Sequence, residues 1–427
     1  MSSSGRASRL PDGAWTGYMN RDVAILRELA RQYAEAAARP VQNQRRQKWR
    51  RLNSLERVPP PIYIRACAWH EMPQSRCLCE DPFYRQYEDF FRRMLFQDTF
   101  EDDYIIEPWV TVSAAWVMPR DGPWGLPVRW TRPGQRDGAG VWDPPLKEET
   151  DIDKLVAPQH AIDEDETARR AARLAEAVGD IVPVAVDRAP AYRMWLADIS
   201  TELAKLRGIE QLMLDMIDRP AWLHGVLAFM RDGILRVHEQ AEQAGDWSLL
   251  AHQNQAMPYA RELPAPAPDG RSVPRRMLWC FCASQELTAV GPEMFEEFML
   301  EYQLPIVSRF GLCAYGCCED LTRKIGVLRR IPNLRRVAAA PAANVATVAQ
   351  QVGDDYVISY RPSPADMVAY GLCEERVRSI LARDLAALRG CCFDITLKDV
   401  ETVEGDPHRI RRWVAMVRRV VDEVIGS

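Results

Sequence analysis

Between residues 311 and 400 the chain reads GLCAYGCC (311–318), RRVAAAP (335–341), DYVISYRP (355–362) and CCFDITLKDV (391–400), four short apolar runs separated by amphipathic stretches at 320–330, 343–352 and 374–389. Runs of this kind read as strands buried on both faces, and strands that alternate with helices belong to a parallel sheet. The alternation extends toward the N-terminus. PIYIRACA (61–68), DYIIEPWVTV (103–112), DIVPVAVD (180–187) and DWSLLAH (246–252) are further strand candidates. Helical periodicity fills 164–178, 193–216, 219–244, 292–309 and 407–424, with prolines opening helices at Asp218-Arg219-Pro220 and Gly291-Pro292. Eight strands with intervening helices predict an α/β fold of the (β/α)8 TIM-barrel type. The competing doubly wound sheet lacks its usual phosphate cradles here, since no G-x-G-x-x-G follows the first strand and no G-x-x-x-x-G-K-[ST] occurs.

Residues 21–57 repeat apolar positions at three and four and are interrupted by Pro40, so 1–57 is expected to be a polar tail with a helical extension and 58–427 the barrel. The 427 residues are 47% hydrophobic and 27% charged, ordinary globular usage, with a formal charge of −5. An acidic balance argues against nucleic acid as a partner. No apolar run approaches the roughly 20 residues of a membrane helix, and the tail MSSSGRASRLPDG lacks the apolar stretch of a signal peptide. A cytoplasmic protein without a membrane partner is expected. Eleven cysteines, with the pairs Cys317–Cys318 and Cys391–Cys392 inside apolar runs, fit reduced thiols better than a disulfide framework.

In a barrel the working residues stand at the C-terminal ends of strands, and two long segments, 113–163 and 253–290, have the length of substrate loops or lids. The segment Tyr315-Gly316-Cys317-Cys318-Glu319-Asp320 offers a thiolate with a carboxylate two residues on; with His252 it supplies ligands suited to zinc, Zn2+. The alternative is that both cysteines are packed as small hydrophobes, and consecutive strand residues point to opposite faces, so at most one would face a site. Asp394, Thr396 and Lys398 are spaced by two and share a face. If that face is inward, the carboxylate and ammonium need each other or a charged ligand, which favours an anionic substrate over a plain salt bridge. His252, Asn254 and Gln255 form a polar patch after the fourth run. Arg65, His70 and Glu71 follow the first run, Asp103, Glu107 and Trp109 lie along the second, and Arg361 follows the seventh. His160, His224, His238 and His408 read as surface residues.

WLADISTELAKLRGIEQLMLDMIDRPAWLHGVLAFM, YQLPIVSRFGLCAYGCCEDL, IPNLRRVAAAPAANV, DYVISYRPSPADMV and ITLKDVETVEGDPHRIRRWV resemble the uroporphyrinogen decarboxylase superfamily, in its URO-D-like branch related to corrinoid-dependent methyltransferases. The resemblance covers most of 55–425 and implies a (β/α)8 barrel. It implies one of three activities: decarboxylation without a cofactor, zinc-dependent methyl transfer between corrinoids and thiols, or the related zinc chemistry of cobalamin-independent methionine synthase. The decarboxylase signature that holds substrate carboxylates would fall at PIYIRACAWHE, where Arg65 matches it. The methyltransferases' His-x-Cys pair corresponds to Tyr315-Gly316-Cys317, with the cysteine kept and the histidine replaced, and Thr396-Leu397-Lys398 stands where a later cysteine would.

The leading expectation is a methyltransferase of the corrinoid and zinc-thiol type acting on a small anionic or methylated substrate, with a corrinoid protein as partner and a homodimer as a compatible assembly. Its metal ligands would be Cys317, His252 and Glu319, its catalytic groups Asp103, Glu107, Asp394 and Lys398, and its substrate contacts Arg65, Trp109, Asn254, Gln255 and Arg361. The alternatives are a metal-free decarboxylase that grips carboxylates with Arg65, Arg361 and Lys398, and a non-catalytic barrel that carries a corrinoid or tetrapyrrole.

Overall fold

The computed structural model describes residues 12–65, 67–131, 140–369 and 371–426; the expected polar tail, at 1–11, lies outside the described residues. Two helices, α1 (Asp12–Ala38) and α2 (Pro40–Asn53), precede strand β1 (Ile62–Ile64). Helix α3 (Pro82–Asp98) leads to β2 (Val110–Ser113), the hairpin β3 (Arg129–Thr131) and β4 (Val141–Asp143), then α4 (Glu164–Val178) and β5 (Val184–Asp187). Helices α5 (Ile199–Arg207), α6 (Ile209–Asp218) and α7 (Pro220–Ala244) run to β6 (Trp279–Cys282). From there the elements are α8 (Pro292–Phe295), α9 (Glu301–Val307), β7 (Leu312–Tyr315), α10 (Ile325–Leu328), β8 (Leu334–Ala339), α11 (Val345–Val352) and β9 (Val357–Tyr360). The chain ends with α12 (Pro364–Met367), α13 (Glu374–Ala387), β10 (Phe393–Leu397) and α14 (Arg409–Val424).

Six strands form one parallel sheet in the order β1-β10-β9-β8-β7-β6, and β2 pairs in parallel with β5 in a separate two-stranded sheet. The fold is therefore mixed α/β with parallel strands. Every residue of β6, β7, β9 and β10 is buried, the burial expected of strands covered on both faces. On the helix side, α14 turns Ile410, Trp413, Val414, Val417 and Val421 inward at intervals of three and four. No helix among the described residues is long and apolar enough to cross a membrane.

Both edges of the six-stranded sheet are covered by irregular chain. On β1, Ile62 N–H donates to the Asp103 carboxylate and Ile64 N–H to the Asp102 carboxylate, both at 2.8 Å, while Asp103 N–H donates to the Ile62 carbonyl at 2.7 Å. Two aspartate side chains thus stand in for a neighbouring strand, satisfying donors that would otherwise be buried unpaired. For this reason the expected strand at 103–112 shortens to its last residues. On β6, Trp279 N–H donates to His252 Nδ1 and Gln253 N–H to the Trp279 carbonyl. Here the sequence reading is corrected: 246–252 is not a strand but holds an isolated bridge from Ser248 to Ser272 and a short 3-10 turn, Leu249–Ala251, and the strand is WCFC at 279–282, inside the segment read as a loop. The helix expected over 193–216 is split by Gly208 at φ 86°, and helix α3 is one the periodicity did not reveal.

The helical extension closes the end of the sheet where the strands begin. Trp49 and Leu52 of α2 pack with Tyr63, Val357 and Cys392, and Asn53 Oδ1 accepts from Arg336 Nη1 at 2.7 Å. Arg336, on β8, also pairs with Asp394, on β10, and Asp394 accepts from Ser359 Oγ on the intervening β9 and from Thr396 Oγ1. All four side chains are buried. Removing one charge from such a pair strands the other in a dry interior. Asp394→Ala is expected to cost about 3–5 kcal/mol in urea denaturation, and an Arg336→Met/Asp394→Leu double variant to recover most of it. A loss under about 1 kcal/mol for the single variant would contradict a buried, mutually dependent pair.

Candidate active site

Strand β7 ends at Tyr315, and Gly316 takes φ 101°, a conformation that side-chain-bearing residues rarely adopt. A Cβ at that position would also lie 2.6 Å from the Leu321 side chain. The chain leaves the strand at once, so Cys317 and Cys318 escape the alternation of strand residues, and their sulfurs stand 3.6 Å apart. Lys398, immediately after β10, places its Nζ 3.3 Å from Cys317 Sγ, 3.1 Å from Cys318 Sγ and 2.7 Å from Asp399 Oδ2. Arg361, immediately after β9, donates from Nη1 to the Cys317 carbonyl at 2.7 Å. Glu319 accepts from the N–H of Cys317 at 2.7 Å and of Ser284 at 2.8 Å, which ties the loop after β7 to that after β6. These residues share the C-terminal ends of the parallel strands, where ligands bind in sheets of this class.

Two further groups point to a ligand. Gln255, 8% exposed and at φ 57°, faces the Cys317 thiol, and neither its amide nitrogen nor its amide oxygen has a hydrogen-bond partner among the described residues. Arg361 is 3% exposed and its Nε is likewise without a partner. Arg65, immediately after β1, adds its charge beside Arg361. On the outer side of Arg361 a cavity of about 700 Å³ opens between the loops after β8 and β9 and helices α11 and α13, lined by Asn344, Ser363, Arg376 and Arg383 among others.

The Cys318 thiol hydrogen-bonds to Cys317 and, against the effect of burial, holds the Cys317 pKa down to about 5, helped by the Lys398 and Arg361 charges. The two thiols share one proton, and the Cys318 pKa rises correspondingly. Burial works against the Lys398 ammonium, but the Cys317 thiolate and Asp399 keep its pKa above the ordinary lysine value. Burial raises the carboxyl of Glu319. The result is a thiolate at neutral pH, held between two cations.

Sequence reading missed an acid cluster behind this site. Asp198, the N-cap of α5, is fully buried; burial and Glu286 push its pKa well above the carboxylate range. Ser200 Oγ lies 2.9 Å from Asp198 and 2.7 Å from Glu286. One hydroxyl proton cannot serve both carboxyls, which accords with a proton on Asp198. Its only sequence signal is the Asp-Ile-Ser-Thr capping pattern at 198–201.

The other anticipated residues lie elsewhere. Asp394 is paired with Arg336 near the start of β10 rather than with Lys398, because the buried guanidinium on β8 reaches it first. Asp103 binds Lys48 of α2 at 3.2 Å, and Glu107 binds Arg46 of α2 at 3.0 Å and the Tyr259 hydroxyl at 2.7 Å. The Trp109 carbonyl accepts from the Tyr33 hydroxyl, and Asn254 is spent on its own loop, bonding to Met257 and Ala256. His252, its pKa pushed down to about 4 by burial, accepts from Trp279 N–H at the beginning of β6. His238, read as a surface residue, is buried between Trp247 and Phe310. Among the described residues no group of three or more His, Cys, Asp or Glu is arranged to hold a metal ion. The structure does not bring Cys317, His252 and Glu319 together: Glu319 accepts from backbone amides after β6 and β7, whereas His252 stands against Trp279 at the beginning of β6, the opposite end of the strands from Cys317.

No family model matches the chain, and no curated protein matches it significantly.

The geometry predicts how Cys317 reacts. Alkylation by iodoacetamide, followed by peptide mass spectrometry, is expected to rise with pH through about 5 and to be flat from pH 6 to 8. Lys398→Met moves the midpoint upward toward the ordinary thiol range near 9. A wild-type midpoint above 8 would show that Cys317 is a plain thiol.

Proposed function

We propose that the chain is an enzyme of the uroporphyrinogen decarboxylase superfamily, built on a complete (β/α)8 barrel, that moves a methyl group from a small anionic methylated substrate to the Cys317 thiolate. The observation that carries this reading is the Lys398 ammonium 3.3 Å from Cys317 Sγ at the C-terminal end of the sheet. Support for the barrel comes from strand order. The first strand, β1, pairs with the last, β10, and the β2–β5 pair falls in sequence between β1 and β6, the two ends of the six-stranded sheet. Inserting that pair between the two edges gives a ring in sequence order. Support for the superfamily is the resemblance of the five stretches quoted above.

In the transfer, the Cys317 sulfur attacks the methyl carbon in line; the S–C bond forms as the bond from carbon to the leaving atom breaks, and the leaving atom keeps the electron pair. Lys398 holds the thiolate before attack, while Arg361 and Arg65 hold the substrate's anionic end. Burial excludes water, which strengthens each of these interactions. A corrinoid carried by a partner protein would supply the acceptor for onward transfer from Cys317. The transfer is written without zinc, because Cys317 and His252, two of its anticipated ligands, lie at opposite ends of the strands.

A second reading, a metal-free decarboxylase, is favoured by the unpartnered Gln255 amide and Arg361 Nε, which suit a substrate carboxylate. The two readings separate in one experiment. Incubation with methyl-labelled N-, O- and S-methylated carboxylates is expected to leave label on Cys317, with transfer reduced roughly 10³-fold or more in Cys317→Ser, the scale of losing a nucleophile. Carbon dioxide release that survives Cys317→Ser but disappears in Arg361→Met would favour the decarboxylase instead.

A further inference from the structure

Methyl transfer uses one sulfur, and the site holds two. Cys318 is exposed where Cys317 is buried, so an oxidant reaches the pair from solvent while the reactive sulfur stays protected. The sulfurs are already in contact at 3.6 Å, and Lys398 Nζ touches both. The Gly316 turn frees both residues from the strand. We propose that Cys317 and Cys318 form a reactive vicinal dithiol that a hydroperoxide oxidises to a disulfide, with Lys398 as the residue that positions it.

The step balances without any further reactant. The Cys317 thiolate attacks the distal peroxide oxygen, the S–O bond forms as the O–O bond breaks, and the product is a sulfenic acid, the leaving hydroxide or alkoxide taking its proton from solvent water. The Cys318 sulfur then attacks the sulfenic sulfur, the S–S bond forms, and water leaves with the Cys318 proton. The two sulfurs together lose two electrons, and the peroxide gains them. Lys398 serves both stages: its charge stabilises the attacking thiolate, and its contact with Cys318 keeps the second sulfur within reach. Oxidation removes the anion that Lys398 balances and silences the site until a thiol reductant restores it.

The remaining cysteines lack this combination. Cys280 and Cys313 also lie close together, but both are buried, and the bond to Cys280 and burial push the Cys313 thiol far up. Cys373 is exposed at the start of α13 and belongs to no such pair among the described residues. Burial raises the pKa of Cys67, Cys77, Cys79, Cys282, Cys391 and Cys392.

The inference rests on sulfur geometry and stands apart from the methyl-transfer reading. Its test is to treat the reduced full-length chain with one molar equivalent of hydrogen peroxide, alkylate under denaturing conditions, and measure intact and peptide masses. The expected result is a chain lighter by two hydrogens, with the lost pair of alkylation sites mapped to Cys317 and Cys318 out of eleven cysteines. Cys318→Ser is expected to stop at a Cys317 sulfenic acid that dimedone traps. Lys398→Met is expected to slow oxidation at pH 7 by at least about 10-fold, as the thiolate fraction falls. Full alkylation of the wild type after peroxide, or a disulfide between other cysteines, overturns the proposal; an unchanged rate in Lys398→Met overturns the role of the lysine. A protein that forms this disulfide but takes no methyl label upholds the inference and overturns the methyl reading, and the reverse pattern does the opposite.

Discussion

A guanidinium and a carboxylate buried together across three strands, Arg336 on β8 and Asp394 on β10 with Ser359 of β9 beside them, set the conditions for the rest of the molecule. A buried pair of this kind gains little over an apolar core, yet neither member tolerates the loss of the other. Its remaining hydrogen-bonding capacity has to be met, and α2 meets part of it through Asn53, while Trp49 lies 5.7 Å from the guanidinium. The same helix takes up Asp103 through Lys48 and Glu107 through Arg46. One helix therefore neutralises the charges gathered where the strands begin, and these ionisable groups are committed to holding the extension on the sheet.

The opposite end of the strands is organised differently. Cys317, Lys398, Arg361 and Gln255 come from four segments far apart in the chain, and among them Gln255 and Arg361 keep unsatisfied hydrogen-bonding groups. Gln255 and Asp399 both have positive φ, which costs roughly 1–3 kcal/mol each. Strain and orphaned polar atoms persist in a folded protein only where the surrounding structure compensates for them. Here part of the compensation comes from the charge pairs at the opposite end. Orphaned polar atoms occur there too, at His252 Nε2 and Arg50 Nε; what distinguishes the Cys317 end is that its orphaned groups, on Gln255 and Arg361, gather round a thiol held by a lysine.

The alternation of apolar runs and helices made the parallel sheet legible, because strands covered on both faces leave a plain signature in GLCAYGCC, DYVISYRP and CCFDITLKDV. WCFC at 279–282 was hidden by its setting: four residues in a proline-rich segment carry too little periodicity to stand out from a loop. In the site, Cys317, Arg361 and Arg65 were legible from their places at the ends of strand runs and Lys398 from its place in the last run, since position along a parallel strand carries over directly to position along the fold; Gln255 was singled out after 246–252, which is not a strand, so that reasoning does not account for its place in the site. Asp103, Glu107 and Asp394 looked equally suitable, and what separated them was their partners. A sequence records that Asp394 shares a face with Lys398; it does not record that Arg336, two strands away, is closer.

The adjacency of the two cysteines illustrates the same limit from the other side. Within a strand, neighbouring residues diverge, and the pair reads as one inward and one outward thiol. A single glycine with φ 101° just after the strand changes that, bringing both sulfurs to one lysine. Once they share it, their acidities are no longer separate properties: the proton that leaves Cys317 is replaced by a hydrogen bond from Cys318, so lowering one pKa raises the other. A lone thiol beside Lys398 would have the cation but not this internal donor, and in a buried site the donor is the larger effect on Cys317. The reactivity assigned to Cys317 is thus a property of the pair, which depends on where β7 stops.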